Sequence, residues 1–270
     1  MIFQTPPRRP RPGAALAPGA LAPAVRAEWL KLRTSRATVR TAAVAGLLSV
    51  LLSALHAKAM LGAPGLLATA DPISASLFGL SLGQFIICAC GALALSTEYG
   101  TGTIRTTLLA VPQRGRVLAA KTAVVAAAGF IWGLLTAAAS WAAGYAILAT
   151  SPRVASPDFA ALSRTLAGAA AMLTALALLG FALAVLVHRT AAALIAITTL
   201  LFLAPTLLDP LSAHAQDTAK RYLPLHLAED LLSRHPGPET LPVPVAAGWF
   251  ALQLAILLCA GTALFRARDI

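Results

Sequence analysis

Side chains able to do chemistry are sparse in this chain, and they gather in one interval. Residues 98–121, EYGTGTIRTTLLAVPQRGRVLAAK, set an acid, a row of hydroxyls and a basic patch between two long apolar runs. Glu98 and Tyr99 close the first run, and Gly100 and Gly102 bend the chain. Thr103 can cap a short helix that Pro112 stops. Other candidates are thinner. Cys88 and Cys90 sit two apart, roughly 200° around a helix, so they do not converge on a metal and read as small core residues. Cys259 stands alone. His226, Glu229 and Asp230 could approach a metal from one helical face, but no further ligand set accompanies them, and no metal is expected. His188, beside Arg189, reads as a solvated turn histidine rather than a proton relay. Gln84 is an amide at mid-depth in an apolar run, where it either bonds to a neighbouring helix or lines a substrate path.

Several kinds of chemistry find no residues to carry them. There is no GxxxxGK[ST] phosphate cradle, no GxSxG elbow and no HExxH pair. The apolar runs hold no acid at their middles, where proton-coupled transport would place one. The chain is therefore expected to be non-catalytic and to need no cofactor, with any energy supplied from outside the membrane.

The elements that position these residues follow from composition. Of 270 residues, 58% are hydrophobic and 11% charged, the balance of a membrane protein. Six uncharged stretches, near 41–57, 73–97, 122–150, 165–187, 190–208 and 245–265, are long enough or nearly so to cross a hydrocarbon core of about 30 Å. The runs are continuous rather than alternating, which excludes a barrel, so the fold class is all-α: a polytopic protein with six transmembrane helices. The third run is long enough to tilt or protrude. Pro205 falls near the end of the fifth, where neighbours can satisfy the freed carbonyl.

Ahead of the first run, AVRAEWLKLRTSR (24–36) places Val25, Trp29 and Leu32 on one helical face and Arg26, Lys31 and Arg33 elsewhere. A basic helix with a tryptophan on its apolar side suits the membrane interface. Residues 1–23 are a Pro- and Ala-rich basic arm, whose prolines at 18 and 23 break any helical apolar core, and they are expected to be disordered. Gly79 and Gly83 give the second run a small-xxx-small face for close helix approach, within the chain or between protomers. Between the last two runs, LPLHLAEDLLSR is expected to form a short amphipathic helix at the outer surface.

The formal charge of +11 does not point to nucleic acid, because it is distributed by side. The N-terminal arm and interfacial helix, the 98–121 loop, the 188–189 turn and the C-terminus carry 15 of the 21 Lys and Arg residues and only three of the ten acids. The positive-inside bias then puts both termini and the 98–121 loop in the cytoplasm of a multi-pass plasma-membrane protein.

In the order of its parts the chain resembles the permease subunits of type-2 ATP-binding cassette (ABC) exporters, especially the six-span actinobacterial kind. EWLKLRTS, EYGTGTIRTTLLAVPQRGRVLAAK, and YLPLHLAEDLL with the closing FRARD carry the resemblance, over most of 24–270. It implies a type-2 transmembrane domain over that range, working as a homodimer or heterodimer with two copies of a separate ABC ATPase. The exported substrate would be amphipathic or lipid-like. The segment Thr103–Val111 would be the coupling helix, with Ile104, Leu108 and Val111 on one face and Arg105 and Leu109 beside it. Glu98 would stand at the membrane boundary and pair with Arg105, Arg116 or a basic residue of the interfacial helix. Family members often carry a charged or polar residue where Gly100 stands, so no contact is carried over there. The alternative is a membrane scaffold or intramembrane enzyme with no ATPase partner.

Overall fold

The computed structural model describes residues 21–63, 65, 71–101, 114–152, 154, 156, 158–210, 212–232 and 240–267. These residues form helices α1 (Leu21–Thr34), α2 (Arg36–Leu61), α3 (Pro72–Ser76), α4 (Leu80–Thr101), α5 (Arg114–Leu148) and α6 (Phe159–Val187), followed by α7 (Thr190–Leu207), α8 (Ala213–Arg221), α9 (Pro224–Asp230) and α10 (Val243–Ala267). No strand occurs among the described residues. Six helices, α2, α4, α5, α6, α7 and α10, are long and apolar enough to cross a membrane. The protein is an all-α polytopic membrane protein.

Helix α6 is the axis of the bundle, packed by α4, α5 and α10. Lipid tails are as apolar as leucine, so side-chain burial gives little net gain in the bilayer and association depends on close van der Waals packing. The sequence supplies that by removing side chains where helices cross. A Cβ on Gly91 would stand 1.9 Å from the Ala177 carbonyl oxygen, and one on Gly180 would stand 1.8 Å from that of Cys88. The α4 and α6 backbones therefore touch at reciprocal glycines. Cys88 and Cys90 are buried in this core.

Gly79 and Gly83 make a similar approach to α2, where their Cβ atoms would meet the Ser49 carbonyl oxygen at 1.8 Å and the Ser49 hydroxyl at 2.6 Å. Within the chain, the small-residue face is occupied by α2. The Gly79 N–H donates to Ser53 Oγ at 3.0 Å, at the turn between α3 and α4. That turn is why the second spanning helix begins at Leu80, not near 73. In α7 the ladder is interrupted at Pro205, which has no N–H to donate. Residues Thr199–Leu203 form a π turn closed by the Ala204 N–H on the Thr199 carbonyl.

Other expected boundaries shift too, the first and fourth spanning helices starting at Arg36 and Phe159 rather than near 41 and 165. The interfacial helix ends at Thr34, and Ser35 is extended before α2 starts at Arg36, so 24–36 is not one helix. Pro23 lies in the first turn of α1, where a missing N–H costs nothing, so the expected arm over 1–23 gives up its last residues to a helix. The rest of that arm is outside the described residues. The third spanning helix begins at Arg114 rather than 122, and at 35 residues it measures about 52 Å, well beyond a hydrocarbon core. The basic residues assigned to the end of a loop are thus its first two turns.

The segment expected at the outer surface also differs. In α9, Leu227 and Ala228 are fully buried against the bundle. Gly168 of α6 approaches Leu231 so closely that a Cβ there would stand 2.5 Å from its carbonyl oxygen. Asp230 accepts the Leu241 N–H at 3.1 Å, which ties the far side of this connection back onto the helix.

Candidate functional site

Lys121 is a charged residue in the second turn of α5 with only 4% of its surface exposed. The helix register turns it inward, toward the C-terminal turns of α4 and the inner face of α1. There its ammonium lies 2.6 Å from Glu28 Oε2 and 2.6 Å from Glu98 Oε1. Lys31, one turn after Glu28 on α1, closes the group at 2.8 Å from Glu28 Oε1 and 3.6 Å from Glu98 Oε1. Two carboxylates and two ammonium groups balance each other, the arrangement that makes charge burial tolerable.

Electrostatics follow from this packing. Burial pushes Glu28 up, but hydrogen bonds from Lys121 and Lys31, together with their charges, outweigh it and hold the carboxyl below its ordinary value. Burial pushes Lys31 down, and its bonds and charge contacts with Glu28 and Glu98 more than reverse that. A cavity of about 170 Å³ adjoins the group, bordered by Leu32, Ser35, Thr38 and Thr97. Glu98 Oε2 is buried and makes no hydrogen bond with the described residues.

The position of the network matters more than its charges. Glu98 lies just before residues 102–113 and Lys121 just after them, so their contact clamps the two stems of that segment together. Glu28 and Lys31 fasten the clamp to α1. On the same end, Tyr99 packs edge-on against His188 with ring centroids 4.9 Å apart. His188 is therefore half-buried and caps α6 in a left-handed conformation, with φ 61°, rather than standing in solvent.

Of the residues singled out by sequence, Glu98 is in the network. Among its expected partners it meets Lys31 of α1, and its shortest contact is with Lys121, which sequence reasoning treated as the end of a loop. Thr103, Ile104, Arg105, Leu108, Leu109 and Val111 lie outside the described residues. Val25, Trp29 and Leu32 are half-buried while Arg26 and Arg33 are exposed. Glu28, which sequence reasoning passed over, is the most buried residue described on α1. Its signal was present: it is the only acid in a basic helix, one turn from Lys31.

The sequence pattern of the family described as ABC-2 family transporter protein matches residues 24–205, from α1 to the end of α7. The chain belongs to this family. It is thus an ABC transporter permease, a multi-pass membrane subunit of a kind that associates with an ABC ATPase. No curated protein matches it. The matched region of this ABC-2 chain contains all four members of the ionic network.

At the opposite end of α4, Gln84 is 5% exposed and its side chain lies beside the carboxylate of Glu229 on α9. Both line a cavity of about 300 Å³ between α3, α4, α6 and α9.

Proposed function

We propose that this ABC-2 permease is an exporter subunit that converts ATP binding by a separate ATPase into movement of an amphipathic substrate. In this reading it works as a dimer of permease chains with two ATPase subunits in the plasma membrane. The observation that carries the proposal is the Lys121 clamp. A segment that merely connects two spans has no use for a buried charge holding its stems together and locking both to a third helix. A lever does, because force applied to the segment must move α1, α4 and α5 as one body rather than bend the stems.

The lever itself is 103–111, with Ile104, Leu108 and Val111 facing the ATPase and Arg105 and Leu109 alongside. In this reading Arg105 pairs with Glu98, whose second oxygen has no hydrogen bond with the described residues. Val25, Trp29 and Leu32 seat α1 at the cytoplasmic interface, and both termini are on that side.

The test is co-expression with the ABC ATPase encoded nearest to it, followed by purification and assay of hydrolysis and efflux from cells. The expected result is a stable complex whose hydrolysis responds to substrate. Glu98→Gln is expected to leave the complex intact while lowering transport per ATP by roughly 5- to 150-fold, the span of ordinary intersite couplings. A chain that binds no ATPase, or a Glu98→Gln variant with unchanged efflux and unchanged hydrolysis, would overturn the reading.

A further inference from the structure

The cavity at the far end of α4 has a one-sided hydrogen-bonding wall. Three hydroxyls line it, and each spends its single proton inside the protein. Ser74 Oγ donates to Asp71 Oδ2 at 2.7 Å, Ser81 Oγ donates to the Phe78 carbonyl at 2.7 Å, and Thr165 Oγ1 donates to the Ala161 carbonyl at 2.8 Å. What they present to the cavity is lone pairs. The Gln84 amide lies beside the carboxylate of Glu229, which stands on the rim. Glu229 is the only ionisable group on the described wall, and no Lys or Arg lines it. The remaining surface is apolar, with Leu80 and Met172 at its base and Phe78 at its edge. Its volume of about 300 Å³ is at the lower end of small-molecule sites.

We propose that this cavity binds an amphipathic organic amine as its cation, the ammonium head donating to Glu229 and the hydroxyl lone pairs and the apolar body resting on Leu80 and Met172. An acceptor-rich wall with one carboxylate attracts a donor cation. It repels an anion of the same shape and offers little to a neutral apolar molecule, so charge sign is the selectivity device. As the substrate class of an exporter this rests on the permease reading above; as a binding site it does not.

The pH response has a definite sign. Partial desolvation on the cavity rim raises the Glu229 carboxyl above its ordinary value, with Asp230 adding to the rise and His226 and the Gln84 amide opposing it. Among the described residues, the charged and titratable groups facing it are His226 and Asp230 of its own helix, while α3, α4 and α6 present Ser74, Gln84 and Thr165, which do not titrate. Lowering the pH neutralises Glu229, which weakens cation binding. Affinity therefore falls on acidification.

The test uses the full chain in lipid nanodiscs, with radiolabelled octylammonium as probe and octanoate and octanol as charge controls. Empty nanodiscs give the lipid background. Expected is saturable binding of octylammonium only, with Glu229→Gln weakening it roughly tenfold to a hundredfold, as for loss of one charge-assisted hydrogen bond. Glu229→Asp should restore part of the affinity. Ser81→Lys, at an exposed rim position, places a tethered ammonium on the same wall and is expected to abolish binding without removing the carboxylate. Equal binding of octanoate or octanol, unchanged affinity in both Glu229→Gln and Ser81→Lys, or affinity that rises on acidification would each overturn the proposal. None of these measurements involves the ATPase, so failure here and failure to form a transporter complex are separate results.

Discussion

Lys121 concentrates the stability argument at a single side chain. Truncating one member of a buried charge group costs more than the group was worth, because the partners are left desolvated and unpaired. Lys121→Met leaves Glu28 and Glu98 facing each other with only half-exposed Lys31 between them, and a loss of about 3–5 kcal/mol is expected. The measurement is thermal unfolding in detergent, with a lowered midpoint in Lys121→Met. Adding Glu28→Gln should recover part of it, since the second substitution removes a repulsive charge. If the double variant is no more stable than the single, the carboxylates are not coupled through Lys121. The same site gives a pH dependence. Glu28 is held below its ordinary value when folded, so its contribution is present above the unfolded carboxyl value and is lost as pH falls through the depressed one. Lys31 is raised, so its contribution is present below the ordinary lysine value and is lost as pH rises through the raised one. Unfolding midpoints across this range should fall at both extremes, and Glu28→Gln should flatten the acid limb selectively.

At the scale of helices, the α4–α6 crossing is the joint with least tolerance. Gly180→Ala sets a methyl group 1.8 Å from the Cys88 carbonyl oxygen, and neither helix backbone can withdraw without opening the rest of the interface. A loss of about 1–3 kcal/mol is expected, as for overpacking generally, read as a lowered unfolding midpoint in detergent. Gly248→Ala, where an added Cβ meets nothing within 4 Å, is the control and should be neutral. This crossing also marks the limit of what sequence shows. Continuous apolar runs reveal six helices because backbone groups in lipid leave no alternative. Gly79 and Gly83 announce a close approach, but not that Ser49 of α2 fills it. Lys121 reads as the end of a loop because charge looks like a boundary until a partner is seen. That partner, Glu28, is 93 positions away and no local pattern links the two. The α9 segment reads as a surface helix because its polar residues are visible in sequence, whereas the burial of Leu227 depends on a tertiary cleft.

For the whole molecule, the remaining quantity is orientation in the bilayer, and charge sets it. The contacts of Glu28, Glu98 and Lys121, and of Tyr99 with His188, gather α1, the start of α5 and the α6–α7 turn at one end. That end carries Arg26, Lys31, Arg33, Arg36, Arg40, Arg114, Arg116 and Arg189 besides Lys121. The other end, with α8 and α9, carries Asp71, Asp158, Asp209, Asp217, Glu229 and Asp230 against Lys58, Arg164, Lys220 and Arg221 among the described residues. Lys and Arg near span ends resist translocation while acids matter little, so the first end is expected to stay in the cytoplasm. Single cysteines settle this once exposed Cys259 is replaced by Ser; Cys88 and Cys90 are buried. A membrane-impermeant maleimide should label Asp217→Cys in intact cells and Arg33→Cys only after permeabilisation, as both positions are exposed to solvent on the protein. The reverse pattern would place the Lys121 clamp outside the cell, where no ATP-driven partner could act on it, and would remove the lever reading together with the orientation.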